Sequence, residues 1–210
     1  NSHYNPEENN DIINFIKNEF TDMGYEIDFL AGSDFKANFF EILDEYRIVY
    51  IQSYSNQYND VTKILTGQKV NNSYFEDDNL YELYIKEKAS PIALKENNGY
   101  ENYYWGVNSE FIKDNFFSDN NTIIISANKV LGNDNKFVNS ILENGAVAFI
   151  STKELELNSE DLYLLIKNAN KDNSLMEAYN NLSENTKQNI AITKNPNIEE
   201  IYLNRKIDNF

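Results

Sequence analysis

NNTIIISANKVLG, Asn120 to Gly132, is the stretch that decides the fold. Its apolar, β-branched run is short and uninterrupted, which suits a strand buried on both faces rather than one that alternates. It breaks off in Ser126, Ala127, Asn128 and Lys129, and the next segment, NDNKFVNSILENG, has helical spacing and ends at Gly145. A second apolar strand, AVAFIST, follows directly. Strand, helix and strand in that order predict a parallel pair joined by a crossover. In such sheets ligands bind beyond the carboxyl ends of the strands, where Ser126 to Asn128 fall.

The same rhythm extends outward. Upstream, DIINFIKNEFTDMG reads as an amphipathic helix, YEIDFL as a strand, FKANFFEILDEY as a second helix and RIVYIQSY as a strand. Downstream, SEDLYLLIKNANK and SLMEAYNNLSENTKQ read as helices and NIAIT as a last strand. The expected fold is α/β: a doubly wound, mainly parallel sheet flanked by helices, in one domain over 1–195. Residues 196–210 read as an edge strand or tail. Doubly wound folds usually open on a strand. This chain opens on a helix, so a first strand is expected to be lacking, with NSHYNPEENN as its following loop.

The middle, 55–119, differs. It reads as a decorated insertion of turns and short aromatic pieces, with VTKILTG, LYELYI and PIALK as strands. NSEFIKDNF inside it reads as a short helix capped by Asn108 or Ser109.

Composition narrows the chemistry. Lys+Arg 18 against Asp+Glu 34 gives a net charge of −16, which repels nucleic acid and anionic membranes. There is no cysteine, hence no disulfide, thiolate nucleophile or zinc–thiolate site. The one histidine, His3, lies at the end of the chain, a poor place for a catalytic base. No apolar run approaches the ~20 residues of a membrane-spanning helix. Cofactors are not expected. Glu76–Asn79 (EDDN) and Gly132–Lys136 (GNDNK) carry oxygen ligands of the kind calcium takes, without the spacing of a calcium loop.

Two strand tips, IVYIQSYSN and TIIISANKV, are expected to lie side by side. With them come Thr66-Gly67 in ILTGQKV, the segment YYWGVNSEFI (Tyr103–Ile112) and ILENGAVAFIST (Ile141–Thr152). In this order the chain resembles the caspase-like cysteine peptidases, specifically the bacterial branch of gingipains and clostripain, over about residues 5–165. The resemblance implies a caspase-like sandwich, a secreted or cell-envelope setting, and a catalytic His-Cys dyad on the two tips. Where that family carries His-Gly, this chain has Tyr54-Ser55, and where it carries Ala-Cys, Ala127-Asn128. A phenol titrating near ~10 is a poor proton shuttle, and a carboxamide is no nucleophile. The resemblance therefore implies a pseudopeptidase.

Several roles stay open at this level. Asn128 is either a cap for the strand-to-helix turn or a ligand contact. Tyr54 either covers the sheet tip or meets a peptide. Ser126 and Ser53 are hydroxyls without an evident base, the starting point of a residual hydrolase. Tyr103, Tyr104, Trp105 and Gln68 are candidate contacts for a protein or peptide partner, against a plain core role for the aromatics. The fold is also compatible with a purely structural module of a secreted or surface protein.

Overall fold

The structure, a computed structural model, describes residues 6–22, 24–70, 78–95, 101–116, 122–153, 159–169 and 173–198. Its centre is a four-stranded sheet ordered β1-β6-β7-β8, built from β1 (Ile48–Ile51), β6 (Ile123–Ser126), β7 (Ala148–Thr152) and β8 (Ile190–Lys194). β1, β6 and β7 run parallel, and β8 closes the far edge antiparallel to β7. Ile123, Ile124, Ile125 and every residue from Ala148 to Thr152 are buried, as strands covered on both faces require. A mixed α/β fold with a mainly parallel sheet flanked by helices is thus what the sequence forms.

Each face of this sheet has its own core. Ile123, Ile125 and Ile150 pack with Ile16 and Phe20 of α1 (Pro6–Asp22), Leu162 and Leu165 of α6 (Ser159–Asn168), and Leu175 of α7 (Leu175–Asn180). Val49, Ile51, Ile124 and Phe149 face the other way. They meet Phe111 and Ile112 of α3 (Ser109–Asn115), Phe137 and Ile141 of α5 (Asn135–Glu143), and the residues of a second sheet. Burying one such side chain contributes about 1.5–3 kcal/mol, so the two layers dominate stability.

The second sheet is antiparallel, ordered β2-β3-β5-β4, from β2 (Ser55–Tyr58), β3 (Val61–Lys69), β4 (Ala89–Lys95) and β5 (Glu101–Asn108). The region read as a decorated insertion is therefore a layer in its own right. β2 and β3 are joined at Asn59-Asp60, both with positive φ (50° and 60°), the pattern of a two-residue hairpin turn. β5 was hidden in the sequence because Gly106 interrupts its pattern. The space its side chain would fill belongs to Ile92, which a Cβ there would strike.

Several local readings are corrected. LYELYI is part of a helix, α2 (Asp78–Ile85), not a strand. Leu83 reaches the core and Tyr84 the Trp105 ring, which a helical turn allows together. FKANFFEILDEY forms a 3-10 helix over Ala37–Glu45: Lys36 at its start gives no side-chain cap, and the Ala37 N–H is taken by Gln68 of β3. RIVYIQSY is strand only over Ile48–Ile51, because Ser53 and Tyr54 turn toward β3. YEIDFL is not a strand: no backbone partner among the described residues pairs with Glu26–Leu30. α4 (Lys129–Asn133) is an added turn before α5, and SLMEAYNNLSENTKQ splits into α7 and α8 (Glu184–Asn189). NIAIT is a strand as read, though antiparallel. The tail after Ile198 lies outside the described residues. Among those described, no helix is long and apolar enough to cross a membrane.

Candidate functional site

The two strand tips are neighbours. β1 and β6 pair in parallel with Ile51 opposite Ser126, and the Ala127 N–H continues the ladder to the Ile51 carbonyl at 3.0 Å. Beyond Ile51 the chain leaves this sheet and enters the other. The Ser53 hydroxyl donates to the Leu65 carbonyl at 2.6 Å, and the Tyr54 carbonyl accepts from the Leu65 N–H at 2.9 Å. The tips thus sit where the parallel and antiparallel sheets join.

Asn128 occupies that junction with its carboxamide committed on both sides. With extended backbone (φ −136°, ψ 110°) it caps α4, its Oδ1 accepting from Val130 N at 2.9 Å and Leu131 N at 3.3 Å. The same Oδ1 accepts from the Ser55 hydroxyl at 2.8 Å, and Nδ2 donates to the Ser53 carbonyl at 2.7 Å. One side chain therefore starts a helix and ties β6 to the β1–β2 connection. The capping role read from the sequence holds. The tie to Ser53 and Ser55 was not foreseen, although a serine-rich SYS directly after an apolar strand was its trace.

The neighbouring candidates divide sharply. Tyr54 is 38% exposed, so it lies at the surface of the junction rather than in its core. Ala127 and Ser126 are buried, at 2% and 0% exposure, and the Ser126 hydroxyl has no hydrogen-bond partner among the described residues. A shielded hydroxyl without a base lacks the pairing that activates a serine.

The aromatic and turn candidates lie elsewhere. Trp105 is core, its ring edge-on to Tyr84, while Tyr103 is exposed and Tyr104 is half-buried under the Lys69 ammonium. Gln68 serves the fold by accepting from Ala37 N at 3.0 Å. Thr66-Gly67 is structural as well. Thr66 donates to the Trp105 carbonyl at 2.8 Å, and a Cβ on Gly67 would overlap the Gly32 carbonyl. Asp134 of the GNDNK turn spends its carboxylate capping α5 through Lys136 N and Phe137 N. Glu76 and Asp77 of EDDN, and His3, lie outside the described residues. Among the described residues no group of three or more His, Cys, Asp or Glu converges on one point.

One polar pair was not singled out from the sequence. Lys63 of β3 donates to the Ser90 hydroxyl of β4 at 2.6 Å, and partial burial lowers the affinity of its amine for a proton. The only hint was a lysine inside the apolar run VTKILTG.

No family model matches this chain, and neither does any curated protein or solved structure at a significant level.

Proposed function

We propose that the chain is a non-catalytic relative of the caspase-like cysteine peptidases that acts as a protein- or peptide-binding or scaffold module. The observation that carries this reading is Asn128. Its carboxamide bonds Val130, Leu131, Ser55 and Ser53, so the position that matches a nucleophile in the resembling family is given to holding two sheets together. Tyr54, at the position matching the histidine, is a partly exposed tyrosine. The burial of Ser126 weighs against a residual serine hydrolase. The test is a peptidase assay over broad peptide libraries. No turnover is expected, and reproducible turnover abolished by Ser126→Ala or Asn128→Ala overturns the reading. A fluorophosphonate probe is expected to leave Ser126 unlabelled on the native fold.

A further inference from the structure

β1 is an edge strand with the burial of a central one. Val49 and Ile51 are each 5% exposed, and Ile48 and Tyr50 pack half-buried on the opposite layer. Its only ladder partner among the described residues is β6. The Arg47 and Ile51 carbonyls accept from Ile123 N and Ala127 N, so the two-residue period turns the N–H and C=O groups of Ile48 and Tyr50 outward. No described backbone group pairs with them.

The other edges are blunted in ways proteins commonly use. In β4 the Asn108 N–H bonds the Lys88 carbonyl, so Ala89, Pro91 and Ala93 point outward, and Pro91 has no N–H to offer. β2 is short and ends in a tight turn, and β8 ends in exposed Thr193 and Lys194. The outward positions of β1 carry no proline and no charge. Two further observations concern residues of β1 or next to it. Tyr50 Oη and both polar atoms of the Gln52 carboxamide are buried with no hydrogen-bond partner. Glu26–Leu30 belongs to no helix or strand, its backbone groups pair with no described backbone group, and it is held near the start of β1 by the Tyr46–Asp28 bond at 2.7 Å. Buried polar groups such as those of Tyr50 and Gln52 are rarely left unpaired.

We propose that the outer edge of β1 is a strand-acceptor site, which takes up an extended polypeptide segment by main-chain pairing with Ile48 and Tyr50. The segment has about four to six residues with apolar side chains at alternate positions, set by the length of β1 and the two layers it continues. It is uncharged along the paired stretch and basic at its ends, complementing exposed Asp28 and Glu45 near the start of β1 and the net charge of −16. The site requires neither the peptidase resemblance nor any property of Asn128.

The test uses the chain with a panel of synthetic peptides of the pattern acetyl-KTVTVIVTK-amide, with the central apolar residues varied. Residue-resolved amide hydrogen exchange is read at Ile48 and Tyr50. Both amides are expected to exchange freely in the unliganded protein and to slow by about tenfold or more with peptide. The same peptides N-methylated through their central residues are expected to give no protection. Three results overturn the proposal: no protection by any peptide at millimolar concentration, equal protection by the N-methylated peptides, or slow exchange at Ile48 and Tyr50 in the unliganded chain. In the last case, protection that grows with protein concentration assigns the edge to a second copy of this chain.

Discussion

Replacing Asn128 with alanine removes an N-cap and a cross-sheet tie at once. A lost cap costs about 1 kcal/mol and an orphaned buried partner about 1–3, so Asn128→Ala is expected to destabilise by about 2–4 kcal/mol in denaturant unfolding. Asn128→Asp keeps the acceptor for Val130, Leu131 and Ser55 but sets a carboxylate oxygen against the Ser53 carbonyl in place of the donor, so it is expected to keep the cap and still destabilise through the lost cross-sheet tie. The two phenols beside the open edge behave oppositely. Tyr46 donates to Asp28, and that bond first, then burial and the nearby charges of Asp28 and Glu45, push its pKa up to about 12. A tyrosine whose folded pKa lies above its unfolded value of about 10 gives stability that is full below that pH. The contribution is lost as pH climbs from about 10 toward about 12. Tyr46→Phe is expected to flatten the fall of the unfolding midpoint across that window. Burial raises the Tyr50 pKa too, but its hydroxyl has no partner, so Tyr50→Phe at neutral pH is expected to be neutral or stabilising.

At the scale of elements, the Asn59-Asp60 turn offers a clean test. Both residues hold positive φ, which glycine adopts without strain, and Asn-Gly is the preferred pair for this turn. Asp60→Gly is expected to raise stability by about 0.5–1 kcal/mol. How far each element was legible follows from what fixes it. β6, β7 and α5 could be read because burial on two faces or an apolar stripe is written in consecutive residues. The junction strands were plain, but their neighbour Glu26–Leu30 was not, because YEIDFL has strand-forming residues and no described strand for its backbone to bond. α2 was misread because LYELYI suits either state, and the choice was made at a distance, by the Trp105 ring that Tyr84 meets. β5 escaped notice because Gly106 is explained only by Ile92 on another strand. The site divides the same way: Asn128 as a cap is a local property, whereas its bonds to Ser53 and Ser55 span 75 and 73 residues.

For the whole molecule, net charge is the contribution that solution conditions change most readily. A net −16 on 210 residues sets the compact state against self-repulsion. Raising ionic strength toward physiological values and beyond is expected to raise the thermal midpoint through screening, without changing the fold read by circular dichroism. The two sheets also differ in how their partners are spaced along the chain. β2 meets β3 across a two-residue turn, whereas β1 must find β6 beyond the entire second sheet. Hairpins close in microseconds, and distant parallel pairing must first overcome a large loop-closure entropy. The antiparallel layer is therefore expected to assemble early and to shorten the effective loop between β1 and β6. On that route the Ser55–Asn128 bond is a late latch. Its loss would quicken unfolding far more than it slowed folding, so Asn128 sets the lifetime of the native state rather than the speed of reaching it.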